Sequence, residues 1–206
     1  WAWGDFVLGT PASEHGVEVD NLMDISMWLI FFVQTVTQFL LHYYAFKYKG
    51  KEGQKALYFA DNNKLEAVWT IIPVIVLAVL ILYGLFTWNE IMYYDDDEDV
   101  MYVELYAKQF SWEARYAGDD NTLGKANVRY IEGINTLGVD VEDPNTQDDK
   151  VVQELHLPKG KKVVFKIRSQ DVLHSAYMPH FRAQMNCVPG MITQFAFVPT
   201  VTTAEM

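Results

Sequence analysis

Two long runs of apolar residues dominate the first half of the chain. One covers about 25–46, and the other covers 67–88 without a single charged residue. Each has roughly the 20-residue length that a helix needs to cross a bilayer. The pattern predicts an N-terminal segment over 1–24, followed by a transmembrane helical hairpin over 25–94 that contains both spans.

From Met101 onward the pattern changes to an approximate alternation of apolar and polar residues, which is typical of strands buried on one face. Four segments show this alternation: 101–107, 151–157, 162–168 and 192–198. Stretches rich in Gly, Asp and Asn, at 118–127 and 133–150, predict loops. We therefore expect a membrane-anchored all-β protein, with one β domain over 95–206.

The loop between the two spans is basic, whereas the segment before them is acidic. The loop contains five lysines, which are Lys47, Lys49, Lys51, Lys55 and Lys64. The N-terminal segment contains no lysine or arginine, and its acidic residues are Asp5, Glu14, Glu18, Asp20 and Asp24. The positive-inside rule makes the loop cytoplasmic. We therefore expect the β domain, and the acidic run over 95–99 that precedes it, on the extracytoplasmic side.

The first span carries a polar stripe on one side of the helix. Gln34, Gln38 and His42 recur at intervals of four residues, which places them along one face. Polar side chains at membrane depth need a protein neighbour. Two interpretations remain open: the stripe contacts the second span, or it contacts a larger membrane subunit.

Composition narrows the range of functions. The 206 residues carry a formal net charge of -11, which argues against nucleic-acid binding and suits a basic protein partner. Cys187 is the only cysteine, so the sequence offers neither an internal disulfide framework nor a multi-thiolate metal site. We expect Cys187 to be a buried small hydrophobe.

Three ordered motifs resemble cytochrome c oxidase subunit II, the subunit of haem-copper oxidases that bears the CuA centre. Glu66-Ala-Val-Trp-Thr-Ile-Ile-Pro73 is similar to the family's E-x-x-W-T-x-x-P motif at the second span. Lys108-Gln-Phe-Ser-Trp112 is similar to its aromatic segment. Asp171-Val-Leu-His-Ser175, followed by Val188-Pro-Gly190, is similar to the segment that supplies its first copper ligand.

The resemblance implies a fold and a function. The β domain should be a cupredoxin-like β-sandwich that accepts electrons from cytochrome c, or from a cytochrome c domain, at binuclear copper. Subunit I, which holds the haem, should then reduce oxygen to water with proton translocation. Other oxidase subunits and membrane lipid are further expected partners. The location should be a bacterial inner membrane or an equivalent energy-transducing membrane.

His174 is the only histidine that matches a ligand position of the family, so the resemblance makes it a CuA ligand. The remaining ligands of the family form a C-x-x-x-C-x-x-x-H-x-x-M run, which these 206 residues do not contain. We expect that run to follow Met206, the β domain being C-terminally incomplete as given. A chain that has lost its copper is the alternative. We expect His15 and His156 to be exposed polar residues.

The resemblance also assigns roles to Glu66, Phe110 and Trp112. Glu66 corresponds to a glutamate at the entrance of a proton-uptake channel, although a carboxylate there also suits the N-terminal end of a helix dipole. Phe110 and Trp112 belong to the segment of electron uptake, where the family commonly has tryptophan in the position of Phe110. Two residues apart on a strand, their side chains should emerge on the same face, where core packing is the alternative role.

Two other functions remain possible. A quinol oxidase subunit II has the same fold without copper, and the retained His174 argues against it. A non-redox membrane scaffold would not need the motifs around Glu66 and His174.

Overall fold

The computed structural model describes residues 8–93 and 99–206. Asp5 and the acidic residues 95–98, which the charge pattern assigns to the extracytoplasmic side, lie outside these ranges. Within the described part of the N-terminal half, α1 spans Glu14–Lys47 and α2 spans Asn63–Met92. Both are long and apolar enough to cross a membrane. The two predicted apolar spans therefore lie within two helices.

Helix α1 begins well before its apolar run. The hydroxyl of Ser13 accepts a hydrogen bond from the backbone N–H of Gly16 at 3.1 Å, and this N-cap starts the helix. The side chain of Asn62 caps α2 in the same way, at 3.1 Å from the backbone nitrogen of Leu65. The early turns of α1 contact the β domain, since His15 packs on Phe197 and Asp20 pairs with Arg182.

The polar stripe of α1 is exposed along its whole length. Gln34, Gln38 and His42 are all exposed, and His42 Nδ1 lies 2.7 Å from the backbone carbonyl oxygen of Gln38. This exposure does not fit a stripe buried against α2. Contact of the stripe with a larger membrane subunit stays a prediction.

Over the described residues 99–206, the β domain contains seven strands. They are β1 (Val100–Lys108), β2 (Ser111–Tyr116), β3 (Lys150–Val152), β4 (Lys162–Ser169), β5 (His174–Met178), β6 (Ala183–Cys187) and β7 (Thr193–Phe197). Five of them form a sheet in the order β3-β2-β1-β4-β7, in which only β1 and β4 run parallel. Strands β5 and β6 pair as a separate antiparallel ribbon. The arrangement agrees with the predicted cupredoxin-like layout.

The core lies between the sheet and the ribbon. Phe165 of β4 stacks on Phe195 and Phe197 of β7, with ring centroids 5.4 Å and 5.3 Å away. Ala176 of β5 packs against the same cluster from the ribbon side. Cys187 is wholly buried there, which confirms its prediction as a small buried hydrophobe, and burial raises the pKa of its thiol.

Two sequence predictions are wrong: the extent of one strand of the β domain, and the exposure of His15 in the first turn of α1. The predicted strand at 151–157 shrinks to Lys150–Val152, because the backbone N–H of His156 bonds to the hydroxyl of Tyr116 at 2.7 Å instead of continuing the ladder. His156 is exposed as predicted. His15 is not, since its ring packs edge-on against Phe197, with the centroids 6.2 Å apart.

Candidate functional site

One end of the sheet brings together residues from three separate parts of the sequence. The turn between β1 and β2 carries Phe110, and β2 carries Trp112. The chain leaving β4 carries Asp171 before it enters β5 at His174. At the same end, an isolated parallel β-bridge joins Ser169 and Pro189. The second and third motifs of the sequence therefore meet in space.

A carboxylate orients the imidazole of His174. The Nε2 atom of His174 lies 2.7 Å from Asp171 Oδ1, and the His174 side chain is 17% exposed. The other oxygen of Asp171 accepts a hydrogen bond from the backbone N–H of Gln109, also at 2.7 Å. These bonds, with that to His174 as the largest cause, lower the pKa of Asp171 to about 2.

This pairing determines which nitrogen of His174 can bind a metal. An ionised carboxylate only accepts hydrogen bonds, so Nε2 carries the proton and donates it to Asp171. The lone pair of the neutral ring is then on Nδ1. A histidine ligand that donates its other N–H to a carboxylate is a common arrangement in metal sites, since the partner fixes both the tautomer and the ring orientation.

Trp112 packs against His174, whereas Phe110 does not. The rings of Trp112 and His174 meet edge to face, with centroids 6.0 Å apart and an interplanar angle of 71°. Phe110 is 97% exposed, because β2 begins only at Ser111 and leaves Phe110 in the turn. The prediction that both aromatic side chains share a strand face is therefore wrong. Phe110 projects into solvent from the turn between β1 and β2.

The described residues do not by themselves form a metal site. His174 offers an oriented nitrogen, but residues 8–93 and 99–206 contain no group of three or more His, Cys, Asp or Glu side chains that could hold a metal. Cys187 pairs with His174 in the β5–β6 ladder, yet it is wholly buried in the core. It is therefore poorly suited to be a metal thiolate.

Glu66 lies in the first turn of α2, at the end of the helix that joins the lysine-rich loop. Its side chain is exposed, and its backbone N–H bonds to the carbonyl oxygen of Asn62 at 2.9 Å. This location suits both sequence interpretations, because a carboxylate in a first turn stabilises the helix dipole and is also open to water.

A buried charge network beside the site was not anticipated from the sequence. Arg115 of β2, whose side chain is 2% exposed, bonds to Glu104 Oε2 at 2.6 Å and to Asp149 Oδ2 at 3.0 Å. Arg168 of β4 bonds to the other oxygen of Glu104 and to the carbonyl oxygen of Leu137. The network fastens the long loop between β2 and β3 onto the sheet. The sequence signal that could have predicted the network is the presence of Glu104, Arg115 and Arg168 within strands.

Comparisons with known proteins agree with the architecture. Residues 2–86 match the family model of the cytochrome C oxidase subunit II transmembrane domain. Residues 101–204 match that of the cytochrome C oxidase subunit II periplasmic domain. The two matches cover one part of the chain each, the helical hairpin and the β domain.

Individual relatives give the same picture. The chain is 36% identical to an alternative cytochrome c oxidase subunit 2 of Bradyrhizobium diazoefficiens, over 98% of this chain and 71% of that protein. It is 26% identical to a cytochrome c oxidase subunit 2 of Alkalihalophilus pseudofirmus, over 93% of this chain and 44% of that protein. A crystal structure of the periplasmic domain of a Bradyrhizobium japonicum cytochrome oxidase subunit II aligns with 54% of this chain and 69% of its own, at 19% identity and a TM-score of 0.34.

Proposed function

The chain belongs to the cytochrome c oxidase subunit II family, and from that premise we propose that it accepts electrons from a cytochrome c and passes them to subunit I. Members are subunits of an oxidoreductase complex, so other oxidase subunits surround this one. Two membrane-spanning helices carry a β domain on the periplasmic side. We further propose three units: an N-terminal segment over 1–24, a transmembrane helical hairpin over 25–94 and a β domain over 95–206.

The pairing of His174 with Asp171 is the observation that carries the proposal. We propose Nδ1 of His174 as one ligand of binuclear copper in the oxidase. Copper bound by soft thiolates and imidazole supplies a one-electron carrier. Within this chain, Asp171 holds the proton on Nε2 and orients the ring, while Trp112 packs against it.

The charge of the long loop between β2 and β3 supports a basic electron donor. Exposed acids lie along this loop: Asp119, Asp120, Glu132 and Glu142. The loop reaches the site end of the sheet, because the hydroxyl of Thr136 bonds to Glu113 at 2.8 Å, next to Trp112. An acidic loop that reaches the site end of the sheet suits a cytochrome with a basic face.

Electron donation by a cytochrome should therefore depend on salt. In the purified full-length oxidase, we expect reduced cytochrome c to be oxidised quickly at low ionic strength and progressively more slowly as salt screens the acidic loop. Stopped-flow measurement of the bimolecular rate checks this. Oxidation of quinol with no oxidation of cytochrome c would contradict the proposal and favour the copper-free quinol oxidase.

Glu66 is proposed as the proton-uptake entrance. A carboxylate at the water-exposed end of a span can collect protons for a channel in subunit I. We expect Glu66→Ala to lower oxygen turnover several-fold while the rate of electron uptake from cytochrome c stays unchanged. Glu52→Ala, which removes an exposed carboxylate from the same loop, is the control. Normal oxygen turnover in the Glu66 variant would contradict this role and would mean that Glu66 only stabilises the helix dipole.

A further inference from the structure

A buried arginine lies in the turn between β5 and β6. Arg182 has a φ of 52°, in the left-handed region that residues other than Gly, Asn and Asp seldom adopt. Its side chain is only 1% exposed. A cation buried this completely at a conformationally costly position must be held by strong partners.

All five N–H donors of the Arg182 guanidinium are used. Two of them bind the carboxylate of Asp20 in bidentate geometry, at 2.7 Å and 2.8 Å. The other three donate to backbone carbonyl oxygens of Gly9 at 2.5 Å, Pro179 at 2.9 Å and Leu8 at 3.4 Å. The arginine therefore joins its own turn, the segment before α1, and α1 itself. A lysine, with three donors and no planar fork, could not make this set.

Neighbouring residues also connect the turn between β5 and β6 to the start of α1, and we call this contact region the junction. The hydroxyl of Ser13, which caps α1, donates to the carbonyl oxygen of Phe181 at 2.6 Å. The backbone N–H of Ala12 donates to the carbonyl oxygen of His180 at 2.7 Å. Gly16 is needed for the close approach, since a Cβ there would lie 3.2 Å from Cγ of Arg182 and 2.8 Å from Oγ of Ser13.

The junction connects the membrane to the candidate site through two stiff elements. Helix α1 continues without interruption from Glu14 to Lys47, so the turn that carries Asp20 belongs to the same rod as the span. Strand β5 begins at His174 and ends at Met178, four residues before Arg182. At roughly 3.3 Å per residue, His174 lies about 13 Å from Met178, the last residue of the strand before the turn that carries Arg182. A tilt of the ribbon at Arg182 would therefore move His174.

We propose that Arg182 and Asp20 form a latch that fixes the β5–β6 ribbon on the first membrane helix and thereby sets the position of His174 relative to subunit I. Both are positioning residues, and neither touches a redox group. This inference rests on the proposed function, because it concerns the onward transfer of an electron from the copper site. Electron transfer weakens steeply with distance, so a small displacement of the donor slows it.

The test uses the full-length oxidase and the variants Asp20→Asn and Arg182→Asn. Asparagine is isosteric with aspartate at position 20, and at position 182 it tolerates the left-handed backbone while removing the guanidinium. Flash or stopped-flow kinetics separate electron uptake from cytochrome c and internal transfer to the haem. We expect internal transfer to slow on the order of tenfold, with unchanged uptake and an unchanged copper spectrum.

The control is Lys159→Gln, which breaks an ion pair of 2.8 Å with Glu205 that is about half exposed, and should leave both rates unaltered. Internal transfer at the wild-type rate in both latch variants would overturn the latch. Loss of the copper spectrum together with both rates would also overturn it, because the pair would then only stabilise the fold. The wild-type oxidase tests the proposed function separately, since copper reduction by cytochrome c must be seen there first.

Discussion

Replacing His174 with alanine in the full-length oxidase should abolish or strongly alter the mixed-valence optical and spin-resonance signals of the copper centre. Substitution of groups that merely orient a metal ligand lowers metal affinity or activity by about 10–100-fold. Loss of the ligand itself should reduce oxidation of cytochrome c by at least ~100-fold on the same scale. The spin-resonance spectrum and the steady-state turnover of the purified variant check this result.

The control for His174→Ala is His156→Ala, which removes a histidine of the same domain whose side chain is 79% exposed. It should leave the copper signals and the turnover unchanged. Asp171→Asn should fall between the two variants, because an amide can still accept the hydrogen bond from Nε2 without the charge that holds the tautomer. Wild-type copper signals in the His174 variant would remove this residue from the ligand set.

Removing the guanidinium of Arg115 should produce the largest loss of stability. Arg115→Met leaves Asp149 without its cation and Glu104 with only Arg168, in surroundings where all are largely buried. Breaking one partner of a buried ion pair costs about 3–5 kcal/mol, because the remaining charge is left unpaired. We expect the free energy of unfolding of the β domain to fall by about that amount, measured by denaturant or thermal unfolding in detergent.

An exposed ion pair of the same domain, Lys159 with Glu205, provides the control for Arg115→Met. Lys159→Gln, which breaks an exposed ion pair of the same domain, should change stability by less than about 1 kcal/mol. The double substitution of Arg115 and Asp149 by apolar residues should recover part of the loss, because no buried charge is then left without a partner on that side. Equal effects of Arg115→Met and Lys159→Gln would mean that the network does not secure the loop.

The parts of the fold that sequence alone predicts are those with long, regular patterns. The span over 67–88 has no charge, and few environments other than a bilayer accommodate such a helix. Strands β1 and β4 are the longest of the domain, with nine and eight residues, and the sequence pattern predicted seven residues of each, 101–107 and 162–168. Strands β5 and β6 have only five residues each, and tertiary packing rather than local pattern defines them.

The candidate site was predictable only in part for a related reason. His174 stood out because it belongs to a motif, and Asp171 belongs to the same motif three residues earlier. The carboxylate of Asp171 lies within hydrogen-bond distance of the imidazole, and Trp112 packs against the same ring. Both contacts depend on tertiary structure, which brings separate segments of the chain together. The pairing of Arg182 with Asp20 spans 162 positions of sequence, and no local pattern reports such a contact.

The spin-resonance spectrum of the intact, oxidised wild-type oxidase tests the central claim most directly. Two coppers that share one unpaired electron give a signal that neither a single copper nor a copper-free subunit produces, and it does not depend on turnover. We predict this mixed-valence signal in the oxidised oxidase, and we expect it to disappear when reduced cytochrome c is added. A purified oxidase that shows no such signal would contradict the assignment of a binuclear copper centre, and a copper-free quinol oxidase subunit would replace it.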